Sequence, residues 1–166
     1  MKKLLAMVMA VAMTLSLAAC GGNSTPAASG STGSASSEAG SAANADFKVG
    51  AIYINSKNDT AGYTYAHHNG ITTAMKELGL DPDSQLVIVD EVNDNDYDKI
   101  ANAVDTLVAA DCNIIFGISF GYMQAMADKA QEYPDVIFSH ATGYMSTDTN
   151  FNNYFGRLYQ ARYLAG

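Results

Sequence analysis

From Asp46 onward the chain alternates short apolar runs with longer stretches of helical periodicity, and this alternation constrains the fold more than any other feature. The runs are residues 47–54 (FKVGAIYI), 86–89 (LVIV), 113–118 (NIIFGI), 135–140 (DVIFSH) and a short 153–155 (NYF). They are apolar on both faces, as strands covered by helices on each side must be. Strand and helix taking turns is the pattern of βα units around a parallel sheet. The predicted fold class is therefore α/β, a parallel sheet flanked by helices in a three-layer αβα arrangement.

The intervening segments fit that frame. A helix is predicted up to Leu78, capped by Asp59 or Thr60, with Tyr63, Ala66, Gly70, Ala74 and Leu78 on one buried face and Gly79 closing it. A second starts at about Asp96 and carries Ile100, Val104, Leu107 and Val108 inward. A third runs through Met123, Met126, Ala127 and Ala130 and is halted by Pro134. Residues 156–166 read as a helix cut off in its course.

The first 45 residues do not belong to this pattern. Lys2 and Lys3 precede an unbroken apolar or small-residue run over 4–19, which reads as a secretory signal. It is too short to span a bilayer comfortably. Leu17-Ala18-Ala19-Cys20 followed by Gly21-Gly22 resembles the lipobox of bacterial lipoproteins, with cleavage before Cys20 and a diacylglycerol on its thiol. Residues 20–45 are almost wholly Gly, Ser, Ala, Thr and Asn, too poor in apolar area to offset the entropy of ordering, and form a flexible tether. Such a tether reaches some tens of ångströms. The expected organisation is signal 1–19, lipidated tether 20–45 and folded part 46–166, held on the extracytoplasmic side of the cell membrane.

Charge and cysteine content narrow the partners. The whole chain carries −8, and losing Lys2 and Lys3 with the signal leaves 7 basic against 17 acidic residues, or −10. Nucleic acid and anionic headgroups are poor partners for such a surface, so membrane attachment would come from the lipid. With Cys20 as a thioether, Cys112 has no disulfide partner and reads as a small buried hydrophobe.

No motif requires a metal or cofactor. Asp94-Asn95-Asp96-Tyr97-Asp98 has the alternating acids of a calcium loop, but Lys99 stands at the turn-glycine position and Asp105 at that of the bidentate Glu. Gly117-Ile118-Ser119-Phe120-Gly121 lacks dinucleotide-loop spacing, and no GxxxxGK[ST] or GxSxG occurs. His67 and His68 are adjacent, point to different helix faces and read as structural. What remains is a set of strand-end loops: 58–64 after the first strand, 119–123 after the third and 141–144 after the fourth. These put carboxylate, amide and hydroxyl groups beside aromatic rings where open α/β sheets bind ligands, a combination suited to a planar heterocycle on a sugar.

At these residues the chain resembles the basic membrane protein (BMP) family of bacterial lipoproteins, the substrate-binding components of ABC importers for purine nucleosides and related compounds. The resemblance covers 46–166. Its marks are Val49-Gly50-Ala51-Ile52-Tyr53-Ile54, Asn58-Asp59 with Gly62-Tyr63-Thr64-Tyr65-Ala66-His67, residues 115–123, Pro134-Asp135-Val136 with His140-Ala141-Thr142-Gly143-Tyr144, and residues 154–166. It implies a type I periplasmic-binding-protein fold, in which two α/β lobes close on a ligand, with this chain supplying the N-terminal lobe. Family members continue for another lobe's length, so the chain reads as truncated. Carried over by position, Asn58 and Asp59 would hydrogen-bond the ligand, Tyr63 would stack on or edge its base, and Ser119, Phe120, Gly121 and Thr142 would line the cleft.

Where the family shows Gly-Gly-Trp or Ser-Phe near the first loop, this chain has Thr60-Ala61-Gly62-Tyr63, which leaves base preference open. The implied function is non-enzymatic delivery of a purine nucleoside or nucleobase to an ABC permease. A sugar or autoinducer-type ligand on the same fold, and a regulatory surface lipoprotein that no longer transports, are the alternatives.

Overall fold

A computed structural model describes residues 45–156 and 158–165; the signal, Cys20 and the tether up to residue 44 lie outside them. Five strands form one wholly parallel sheet: β1 Val49–Tyr53, β2 Leu86–Val89, β3 Ile114–Ile118, β4 Ile137–Ala141 and β5 Phe151–Tyr154. Their order is β2-β1-β3-β4-β5. The chain therefore leaves β1 toward one edge and returns to β3 on the other side, which opens a crevice above the strand ends. The helices are α1 Gly62–Glu77, α2 Pro82–Gln85, α3 Tyr97–Ala109, α4 Met123–Glu132 and α5 Tyr159–Ala165, with a 3₁₀ turn at Phe120–Tyr122. Among the described residues, no helix is long and apolar enough to cross a membrane.

The helices take opposite sides of the sheet, which gives the expected three layers. On one side α3 and α4 cover Ile52, Ile115, Phe138 and Phe151, contributing Ile100, Val104, Leu107 and Met126 to a core in which all eight are at most 1% exposed. An ion pair from Lys129 to Asp105 (2.7 Å) and a hydrogen bond from the Tyr133 hydroxyl to the same carboxylate (2.8 Å) bind α4 and its C-terminal end to α3. On the other side α1 packs Ile71 and Met75 over Val49, Ala51, Tyr53 and Ile118. Cys112 is free and buried, and burial pushes its thiol up to about 11, as expected of a residue used for packing.

Several local expectations are corrected. Helix α1 is not capped by Asp59 or Thr60; its N-cap is Ala61 in extended conformation, without a side-chain hydrogen bond. Gly62 follows at φ +88, so the chain enters the helix one residue after Thr60 and two after Asp59, and neither side chain caps its first N–H groups. The buried face of α1 also differs. Thr64, Ile71 and Met75 are buried, whereas Tyr63, Ala66, Gly70, Ala74 and Leu78 are exposed, Leu78 by 67%. Helix α2 was not expected; Asp81 caps it by accepting from the Asp83 N–H, with Pro82 at its first position. Strand β4 begins at Ile137, two residues later than predicted, because Val136 still closes a turn on Tyr133. Strand β5 begins two residues earlier than predicted, with Phe151 in the core. Asp96 does cap α3, through the Lys99 N–H, and Gly79 at φ +75 closes α1.

Candidate functional site

Because every strand runs the same way, the loops leaving their C-terminal ends gather at one end of the sheet. An open hollow of about 730 Å³ there is lined by Tyr63 from α1, Phe120, Thr142, Phe155 and Gly156, and Leu158, Tyr159 and Arg162 at and within α5. Three of the seven residues expected in the site thus share one wall. Tyr63 is 39% and Phe120 56% exposed, so each offers a ring face to a ligand. Thr142 is held at φ +68, a conformation that β-branched residues rarely adopt and that costs about 1–3 kcal/mol. Its N–H is bound to the Tyr154 carbonyl (3.0 Å) and its hydroxyl to the Ala141 carbonyl (2.6 Å), which fixes where the loop turns.

The other four stand around this wall. Ser119 is buried, and its hydroxyl donates to Asp94 Oδ2 at 2.6 Å, so its proton is committed within the protein. Its carbonyl accepts from His140 Nε2 (2.7 Å), which places that imidazole's proton on Nε2. Gly121 lies so close to the Asp94 backbone carbonyl that any Cβ would collide with it. The β3–α4 and β2–α3 loops are locked together by these two contacts. Asn58 and Asp59 lie on the β1–α1 loop at the same end, Asn58 exposed and Asp59 half-buried, outside the lining of the hollow. Their backbone N–H groups are satisfied within the loop by Ser56, leaving the side chains uncommitted to a helix cap.

Four features were missed in the sequence. Asp94 reads in sequence as one of several acids at a helix N-terminus with calcium-loop spacing, yet it lies half-buried in a second, polar hollow of about 390 Å³ with Glu91, Asn93 and Asn95. Glu91 is itself left-handed at φ +58. His67 touches the Tyr63 ring (centroids 4.5 Å) and pairs with the Tyr154 hydroxyl (3.1 Å), and burial holds its pKa below the usual histidine range. His140 supports Ser119 from beneath. Arg162 reaches the aromatic hollow from a helix that had been assigned no role. Asp94 announced itself in sequence as the first acid of the alternating 94–98 run; the others depend on which side of an element faces the crevice.

Among the described residues, no group of three or more His, Cys, Asp or Glu side chains is placed to hold a metal ion. The chemistry on display is recognition: aromatic faces, one cation, and carboxylate and amide groups on the neighbouring loops.

A curated purine-binding protein of Brucella abortus is 35% identical over 76% of this chain and 35% of its own length. A Haloferax volcanii protein named as an ABC transporter glucose-binding protein is 31% identical over 69% of this chain and 27% of its own. The chain thus spans about a third of the length of the curated relatives it matches. Among solved structures, a Bacillus halodurans protein described as a transcriptional activator of the comK gene superposes with a TM-score of 0.52 at 22% identity, over 64% of this chain and 33% of that one. A solute-binding protein of an ABC transporter system from Aeropyrum pernix superposes at 0.54 with 14% identity, over 66% and 28%. These two likenesses concern the fold, an α/β lobe of the periplasmic-binding-protein kind. The family described as ABC transporter substrate-binding protein, PnrA-like (Bmp), matches residues 30–166, and the chain belongs to it.

Proposed function

We propose that this protein is the ligand-binding lipoprotein of an ABC importer, anchored through Cys20 outside the cell membrane. Its described lobe forms one wall of a cleft for a purine nucleoside or nucleobase, which it delivers to a membrane permease. The observation that carries this reading is the aromatic hollow at the carboxyl ends of the parallel strands, where Tyr63 and Phe120 present ring faces beside the Thr142 loop. A planar base stacks on such rings, and the amide and carboxylate groups of Asn58 and Asp59 on the adjoining loop suit its edges or the ribose hydroxyls. Ser119 and Gly121 keep the β3–α4 loop in place beneath it. Closure of a second lobe over the ligand is the change a permease would read.

The described lobe contacts only one side of a ligand, so by itself it binds weakly or not at all. In a form carrying both lobes, Asp59→Ala and Tyr63→Ala each weaken binding of adenosine, guanosine or inosine by tenfold or more in isothermal titration, with melting nearly unchanged. Unaltered affinity in both variants refutes the site. A sugar ligand is the second reading, favoured by the polar hollow of Glu91, Asn93, Asp94 and Asn95 and by the name of the Haloferax relative. Glucose binding to the form with both lobes, with none of the three nucleosides binding, would decide for it.

A further inference from the structure

The aromatic hollow contains one feature that neither stacking nor hydroxyl recognition uses. Arg162, on α5, lines it together with Tyr63, Phe120, Thr142, Phe155 and Tyr159. Among the described residues, no carboxylate lies within ion-pair distance of its guanidinium, while the three ion pairs present are all made by lysines. A planar fork of N–H donors with no acceptor is thus presented beside rings that orient a planar ligand.

Resting on the nucleoside reading above, we propose that Arg162 selects among purines and gives the site a preference for 6-oxopurine nucleosides, inosine and guanosine, over adenosine. The reason is the pattern on the ligand edge. A 6-oxopurine shows two adjacent acceptors, N7 and O6, which a guanidinium satisfies with two parallel N–H bonds. Adenine replaces O6 by an amino group, so one arm of the fork meets a donor and is left unpaired. A phosphate is the other natural partner of an unpaired arginine. It is disfavoured here, because Glu91 and Asp94 line the neighbouring hollow, Asp59 sits on the adjoining loop, and the whole chain carries −8.

The test is ligand-observed NMR titration of the full chain, which reads millimolar dissociation constants, with inosine, adenosine and inosine monophosphate. Inosine binds about tenfold more tightly than adenosine, within what one bidentate arginine–base pair supplies. In Arg162→Gln the ratio falls to one or below, because a glutamine offers the donor–acceptor pair that fits adenine. The melting temperature stays put, since the side chain is exposed and unpaired. Equal affinities in the native chain, or a ratio unmoved by the substitution, overturn the assignment while leaving the nucleoside reading standing. Tighter binding of the monophosphate than of inosine, lost in Arg162→Gln, also overturns it by giving the arginine to the phosphate. Binding of none of the three overturns both readings.

Discussion

The two faces of the sheet are built from equally apolar strands but are covered very differently. On one face α3 and α4 lie side by side, and Val104, Leu107, Met126, Ile115 and Phe138 are wholly removed from solvent. On the other, α1 is the one long helix among the described residues, and its cover reaches β1 and the nearer part of β3. Beyond it Ile137 is 46% exposed, and a hollow of about 500 Å³ remains between Ala66, Gly70 and Ala74 of the helix and Phe116, Ser139 and Tyr154 of the strands. The lesson is that an apolar run shows that a strand expects cover without showing how much of that cover is present. Stability should accordingly be concentrated on the α3–α4 face.

The largest expected effect tests that concentration. Leu107→Ala removes a side chain with no exposure, enclosed by both helices and the sheet, and lowers stability by about 2–5 kcal/mol. Met75→Ala on the opposite face deletes a side chain of similar size that is 3% exposed, yet costs about half as much, because a flexible thioether beside a half-covered sheet leaves a space that neighbours can enter. Paired urea titrations measure the difference. Equal midpoint shifts would mean that the two faces are equally consolidated.

The same contrast explains what sequence could and could not reveal. Strand existence, parallel pairing and the α3 and α4 faces were legible, because Ile100, Val104 and Leu107 form a single stripe with polar residues opposite. On α1 there are two candidate stripes one residue, or about 100° of helix, apart. Periodicity selected Tyr63, Ala66, Gly70 and Ala74, while the structure buries Thr64, Ile71 and Met75, because bulky side chains fill the space over β1 and small ones cannot. The strand-end loops were legible as a group, since their position follows from the topology. That Ser119 donates its hydroxyl hydrogen bond to Asp94, and that Arg162 faces the aromatic hollow, depend on side-chain directions across 25 residues and across two elements, which no spacing rule encodes.

A smaller effect lies where the sparsely covered face meets the site. His67 stands between Tyr63 and Tyr154, and these two phenols are the titratable groups that face it. Burial disfavours its charged form, so its folded pKa lies below the unfolded value of about 6.5. As pH falls through 6.5 the unfolded chain takes up a proton that the folded one resists. This contribution to stability is therefore complete above pH 6.5, declines below it, and levels off once the folded pKa is passed. Replacing the imidazole by an amide, His67→Gln, removes that decline from a plot of melting temperature against pH. A slope unchanged by the substitution would show that the face near the site excludes water no better than an open surface.

The smallest effect bears most directly on the comparison, because it predicts nearly no change where the residue pattern had placed a core. Ala74 lies in the stripe read as the buried face of α1, and a glutamate in a true core would be an unpaired charge costing several kcal/mol. In the structure Ala74 is exposed and opens on the hollow, so a glutamate there extends into water. Glutamate forms helix nearly as well as alanine, and Lys76 and Glu77 nearby leave the local charge balanced before it is added. Ala74→Glu should therefore move stability by no more than about 0.5 kcal/mol in denaturant titration. A loss of several kcal/mol would mean that something covers this face in solution, and the difference between the two faces would then lie in what is seated on α1 rather than in how the lobe itself is packed.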